Sequence, residues 1–308
     1  MRERFAPSPT GFLHIGHAFS ALTAWRAAMA CGGEFLLRIE DIDVARCKAR
    51  FEVAIYEDLG WLGLTWRKPV MRQSERLSIY ADVLSRLVAY GLCYPCRCSR
   101  KDIAAALSAP QESGWSVQDS ERPLAVPAHS SPESGKPSLP PVYPGMCRGR
   151  SMDDLDPGDA IRLDLRRAIE LIGGEDVLRG LGFAELGSGS PIRVRITPES
   201  LNDMLGDVVL ARKDIGTSYH IAVVTDDAMQ SVTHVTRGED IAFCTPLHVL
   251  LQTILGFPTP IYRHHRLIRD RQDVRLAKRH DAVSIRSLRE RGKTPDDILS
   301  MVGLEMPS

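Results

Sequence analysis

Apolar residues in the first forty positions change their spacing twice. Arg2 to Ala6 reads as a short strand, and a stretch bearing Pro, Ser and Gly runs on to Gly11. From about Gly16 to Met29 the apolar positions follow a helical period that Gly32-Gly33 stops, and Glu34 to Ile39 forms a second strand. Strand, glycine-bearing loop, helix and strand in that order make a βαβ unit, which predicts an α/β fold on a parallel sheet with ligands at the strands' carboxyl ends. A further helix is expected from Ser74, with Leu77, Tyr80, Ala81, Leu84, Leu87 and Val88 on one face and Gly91 as its stop. Between Ser108 and Pro141 the chain is rich in Ser, Pro, Glu and Gly without either period, which predicts a mobile loop inserted in a folded region. Ile192–Ile196, Asp207–Ala211, His220–Thr225 and Val232–Thr236 read as further strands of the same sheet. Thr245-Pro246 then opens a helix running to Leu255 and Gly256, and Thr294-Pro295 opens another ending near Gly303.

Composition changes this picture little. Charged residues make up 25% and hydrophobic ones 44%, and the formal net charge is zero, so any nucleic-acid contact must rely on local patches. Arg263-His264-His265-Arg266 through Arg269, Arg271, Lys278 and Arg279 to Arg286, Arg289, Arg291 and Lys293 is one such concentration. No run of about 18 apolar residues suggests a bilayer span, and the N-terminus shows no secretory h-region, so a cytoplasmic location and no membrane partner are expected. Seven cysteines, three of them within six residues (Cys93, Cys96 and Cys98), suit reduced thiols and metal better than a disulfide framework. Cys96, Cys98 and the downstream Cys147 offer three thiolates for a structural zinc site that would clip the ends of the 108–141 loop together. Spacing alone nominates Cys93 or His129 as the fourth ligand.

His14-Ile15-Gly16-His17 stands where the first loop enters the helix, so two imidazoles and the helix's free amides face a common point, an anion site. In isolation such a stretch is more often a helix start with two surface histidines. Its surroundings alter that reading. Arg4-Phe5-Ala6-Pro7-Ser8-Pro9-Thr10-Gly11-Phe12-Leu13 before it, Leu37-Arg38-Ile39-Glu40-Asp41-Ile42-Asp43, Tyr219 to Asp227 and Thr233 to Asp240 closely resemble the glutamyl-tRNA synthetase family.

The resemblance implies a Rossmann-type class I aminoacyl-tRNA synthetase catalytic domain, with its first half over 1–92 and its second over 191–262. Between them, 93–190 would be an insertion with the zinc clip, and 263–308 would carry a loop and short C-terminal helices. It implies ATP as a substrate with Mg2+, held by His14, Gly16, His17 and a loop lysine, with His14, His17 and Lys278 catalytic. Lys278 lies in Arg275-Leu276-Ala277-Lys278-Arg279, which departs from the family's KMSKS pattern at Arg275 and Ala277. For L-glutamate, two carboxylates and one ammonium need cationic forks and an acid, and Arg4, Arg237 and Glu40 supply them, with Ser8 and Tyr219 completing the pocket by resemblance. The family's Cys-x-Cys and Tyr-x-x-x-Cys arrangement makes Tyr143 the fourth zinc ligand.

The chain stops soon after Lys278, where complete members continue into anticodon-reading helical domains. A catalytic half of this kind resembles the glutamyl-queuosine tRNA(Asp) synthetases of the family, so the expected partner is the queuosine-bearing anticodon stem-loop of tRNA(Asp), bound by a monomer. Three rivals remain: a shortened synthetase charging the 3′ end of tRNA(Glu), a small-molecule nucleotidyltransferase, and a non-catalytic tRNA-binding paralogue. Glutamate-dependent pyrophosphate exchange separates the second, ATP consumption the third.

Overall fold

The computed structural model describes residues 1–108, 141–187, 189–268 and 283–304. β1 (Arg2–Phe5) leads into α1 (Ile15–Ala30), and β2 (Glu34–Ile39) returns parallel to β1 with Arg4 opposite Leu36. α2 (Ala49–Trp61) carries the chain to β3 (Arg67–Arg72), which extends the parallel sheet beyond β2. α3 (Leu77–Ala89), β4 (Cys93–Cys96) and α4 (Arg100–Ser108) follow. After the undescribed 109–140 come β5 (Ala160–Leu163), α5 (Leu165–Leu171), α6 (Glu175–Gly180), β6 (Gly182–Glu185) and β7 (Ile192–Arg195). α7 (Pro198–Asn202), β8 (Val209–Ala211), α8 (Tyr219–Met229), β9 (His234–Gly238), α9 (Thr245–Leu255) and β10 (Ile261–His265) precede the terminal α10 (Ile285–Glu290) and α11 (Pro295–Val302).

Among the described residues the strands form three sheets, ordered β1-β2-β3, β7-β6-β10-β9 and β4-β5-β8. The first two meet along β1 and β9, where the Thr233 amide donates to the Arg2 carbonyl and the buried Glu3 carboxylate accepts from the Thr236 hydroxyl. β9 and β10 run parallel, and His264 stands opposite Arg237. This register matters at the site below.

Alternation along β2 divides the core in two. Phe35, Leu37 and Ile39 face a cluster built with α1, α2, α10 and α11, whereas Leu36 faces a larger one containing Tyr80, Ile221 and Leu247 from α3, α8 and α9. Each side chain buried there, such as Leu37 or Ile39 at 1% and 0% exposure, contributes roughly 1.5–3 kcal/mol. Through Ile285 and Ile298 the C-terminal helices join the α1 cluster, and the Ile285 amide donates to the Leu13 carbonyl, so they brace the loop that carries His14.

The parallel βαβ unit and the helices ending at Gly256 and Gly303 agree with the sequence pattern, and both glycines take the left-handed conformation that a β-carbon disfavours. Four expectations are corrected. His220–Thr225 is helical, part of α8; a short run of buried apolar residues reads alike as strand or helix, and this helix buries every residue from Ile221 to Asp227. Ile192–Arg195 does form a strand, but antiparallel to β6, and Val209–Ala211 belongs to the separate antiparallel β4-β5-β8 sheet. Leu77 and Ala81 are exposed, while Val83 joins Tyr80 and Leu87 in the core. The expected loop over 108–141 falls almost wholly outside the described residues.

Candidate active site

The loop after β1 and the first turn of α1 lock two histidines together. His14 is the N-cap: its Nδ1 accepts from the Gly16 amide at 3.1 Å, and its own amide donates to His17 Nδ1 at 3.2 Å. Each Nδ1 is therefore a lone-pair acceptor, which leaves Nε2 as the protonated nitrogen of each neutral ring. The ring centroids lie 3.8 Å apart. Gly16 suits this arrangement, because a β-carbon there would stand 3.0 Å from the His14 ring and press it out of place.

Both histidines and Gly16 border a cavity of about 570 Å³ that also takes in Arg4, Ser8, Glu40, Tyr219 and Arg237. The described residues nominated for glutamate and ATP thus converge, from β1, the loop after it, α1, the position after β2, α8 and β9. Behind Arg4 and Glu40 lies a charged group that sequence reasoning missed. Asp227 Oδ1 accepts from Arg4 Nε at 3.1 Å and from Arg38 Nη2 at 2.7 Å, and Arg38 stands 3.6 Å from Glu40. Arg4, Arg38 and Asp227 are all buried. With Glu40 ionised, two cations and two carboxylates balance in charge, and that balance makes the burial of the arginines tolerable. Burial pushes the Glu40 carboxyl up to about 7 despite Arg38 and Arg4. Burial pushes Asp227 the same way, but Arg4 and Arg38 outweigh it and hold Asp227 below the usual aspartate value.

Arg237 is placed differently. It is 5% exposed, and its guanidinium donates to Thr245 Oγ1 at 2.6 Å, His264 Nε2 at 3.2 Å, Tyr219 Oη at 3.3 Å and His248 Nδ1 at 3.3 Å. His248 is kept neutral by burial and by Arg237, its pKa well below the usual histidine range. Among the described residues Arg237 makes no ion pair. A buried cation at the edge of a cavity, hydrogen-bonded to side chains but in direct contact with no carboxylate among the described residues, suits an anionic ligand.

Away from this cavity, Cys96, Cys98 and Cys147 bring their sulfurs within 4.8 Å of one another and could hold a metal ion. Cys98 and Cys147 Sγ lie 3.4 Å apart, too far for a disulfide at about 2.05 Å. The spacing is close to the ~3.8 Å edge of a tetrahedron with metal–sulfur bonds of about 2.3 Å. Tyr143 Oη stands 3.5 Å from both Cys96 and Cys98 Sγ. Cys93, one of the alternatives, belongs instead to the large apolar core with Leu87 and Leu163, apart from the cluster that holds Cys96. His129, the other, lies outside the described residues.

Residues 1–137 and 189–306 match the family described as tRNA synthetases class I (E and Q), catalytic domain. The chain belongs to that family. Its α/β fold and the aminoacyl-tRNA synthetase type of ligase follow, with the amino acid, ATP and tRNA as the family's reactants. A protein of Rhodobacter capsulatus named glutamyl-Q tRNA(Asp) synthetase is 48% identical over 307 residues, which are 99% of this chain and all of that one. A glutamate–tRNA ligase of Acidithiobacillus ferrooxidans is 34% identical, and this chain spans 56% of its length. Among solved structures, a glutamate tRNA ligase from Elizabethkingia meningosepticum in complex with its amino acid superposes with a TM-score of 0.67 at 24% identity, covering 98% of this chain and 60% of that one, a likeness of fold.

For this synthetase-family chain Lys278 and its loop lie outside the described residues. Arg38, Asp227 and the polar groups around Arg237 were not found from the sequence. The one local signal was Arg38, which stands between Leu37 and Ile39 in a strand, since a charged residue inside an apolar stretch is rarely left in a core without a partner. No helix among the described residues is long and apolar enough to cross a membrane.

Proposed function

We propose that the chain condenses L-glutamate with ATP to glutamyl-adenylate and passes the glutamyl group to the queuosine base in the anticodon of tRNA(Asp). The observation that carries the first half is Arg237, a buried guanidinium with neutral partners, sharing one cavity with Arg4, Glu40 and the His14–His17 pair. On this reading Arg237 and Arg4 take the two carboxylates, Glu40 the ammonium, and Ser8 and Tyr219 complete the pocket. One α-carboxylate oxygen attacks the α-phosphorus of ATP and pyrophosphate leaves. The Nε2–H groups of His14 and His17 stabilise the charge that builds on the phosphate oxygens, at about 2.7–4 kcal/mol per preorganised donor, and Lys278 neutralises the departing pyrophosphate, with Mg2+ carried in by ATP. A hydroxyl of the queuosine substituent then displaces AMP from the acyl carbon. The second half rests on the Rhodobacter relative, which this chain matches from end to end.

We read the metal as zinc, closed by Cys96, Cys98, Tyr143 and Cys147. It would fasten residues 96–98 to 143–147, the two flanks of the 109–140 segment, and supply structure without touching substrate. Pyrophosphate exchange in the absence of RNA tests the activation step. Exchange should require glutamate, and equal exchange with glutamine or aspartate would sink the assignment of the two arginines.

A further inference from the structure

Arg237 is a donor on every nitrogen, so whatever faces it must present a lone pair. That requirement fixes the hydrogens of its neighbours. His264 Nε2 lies 3.2 Å from Arg237 Nε and must be unprotonated, so the ring proton sits on Nδ1. Glu185 Oε2 stands 2.8 Å from that Nδ1, and Glu185 Oε1 accepts the backbone amide of His264 at 2.7 Å, so one carboxylate fixes both the ring and the strand that carries it. Thr245 Oγ1 is 3.0 Å from the same Nε2 and 2.6 Å from Arg237 Nη2, so its hydroxyl accepts from the arginine and shares the one Nε2 lone pair with Arg237 Nε–H. On the far side His248 Nδ1 accepts from Arg237, which leaves its Nε2–H to donate to His220 Nδ1 at 3.1 Å. Every bond in the chain from Glu185 to His220 is consistent with one set of proton positions.

Glu185 closes β6, which pairs with β10 at Tyr262. It lies within 138–188, the stretch that the family match leaves out.

We propose that Glu185 is a positioning residue for amino-acid recognition: it selects the Nδ1–H tautomer of His264, and that tautomer holds the Arg237 guanidinium toward the cavity. This deepens the reading above and rests on Arg237 binding a carboxylate of glutamate. A bare hydrophobic wall would leave a long arginine side chain free to turn. The carboxylate, imidazole and hydroxyl fix the plane of the fork before the ligand arrives, which is how preorganisation lowers the cost of binding.

Glu185→Gln tests it with little change of shape. The carbonyl oxygen of the substituted amide can still accept the His264 backbone N–H, but its NH2 then faces Nδ1 and demands a lone pair there. The ring proton moves to Nε2 and points at Arg237 Nε–H, donor against donor. The expected result is a rise in the glutamate KM of about 10- to 100-fold, the scale of losing a hydrogen bond to a charged group, with the ATP KM within about twofold of wild type. Adding His264→Gln, whose carbonyl can accept from Arg237 without help from Glu185, should recover most of the loss. Nitrogen NMR of His264 should find Nδ1–H in the wild type and Nε2–H in E185Q. An unchanged glutamate KM in E185Q, a rise shared equally by ATP, no recovery in the double variant, or an Nε2–H tautomer in the wild type would each overturn the proposal. If the wild type gives no glutamate-dependent exchange, the functional reading fails instead, and the NMR comparison still decides the relay.

Discussion

Asp227→Asn is the perturbation whose outcome the site geometry constrains most tightly. Asp227 Oδ1 is shared by Arg4 and Arg38 at 3.1 and 2.7 Å, and both arginine side chains are at most 5% exposed. With Glu40 ionised the group carries two positive and two negative charges; asparagine leaves it one positive charge in excess, in a buried group that meets water only along the cavity wall. Removing one partner of a buried pair costs about 3–5 kcal/mol, against roughly 0–1 for a surface pair. The deficit can be partly offset, since Asp227 is among the groups that raise the Glu40 pKa, and its loss should let Glu40 ionise at lower pH. Asp227 is depressed below its ordinary 3.8 by the two arginines, so its stabilisation is present in full above that value and is lost as pH falls through the folded value. Denaturant unfolding followed by tryptophan fluorescence should therefore show D227N less stable by about 3–5 kcal/mol at pH 7, with the gap closing below about pH 4. In the exchange assay, the acid limb of kcat/KM for glutamate should move to lower pH. A loss under about 1 kcal/mol, typical of exposed pairs, would mean that the four charges are solvated and that the buried-quartet account is wrong.

Other outcomes follow from the same geometry. If Glu40 must be ionised to receive the ammonium, wild-type kcat/KM for glutamate should fall about tenfold per pH unit below pH ~7, following the raised Glu40 pKa; an acid limb that persists in Glu40→Gln assigns it to another group. Lys278→Ala should slow adenylation by about two orders of magnitude, the scale of one lost electrostatic donor, and an unchanged exchange rate removes Lys278 from the mechanism. Protein purified without chelator should contain zinc at about one ion per chain, and Cys147→Ser should lose it; a metal-free wild type contradicts the assignment of the cysteine cluster.

The H-x-G-H loop, Arg4, Glu40 and Arg237 were legible because local signals place them at strand ends or a helix start, whereas Tyr219 came from the family resemblance alone. Arg38 was not. In a strand with Leu36 on the same face, an arginine reads as a solvent position; only α8, whose Asp227 is 189 residues away in sequence, turns that face inward and supplies the counter-charge. The same helix defeated period reading for a related reason, since a segment buried on all sides has no polar face to reveal its turn. Glu185 was unreadable because its partner His264 is set by the β6–β10 pairing, a contact that no local pattern encodes. Cys96, Cys98 and Cys147, by contrast, were chosen by spacing and are brought together in the fold.

The acceptor is the central claim, and transfer of labelled glutamate tests it most directly. Purified protein should label tRNA(Asp) that carries queuosine and an anticodon stem-loop cut from it, and should leave unmodified tRNA(Asp) and tRNA(Glu) unlabelled. Label on tRNA(Glu), lost when its 3′-terminal adenosine is removed, would contradict the account and make this a shortened synthetase that charges tRNA in the ordinary way.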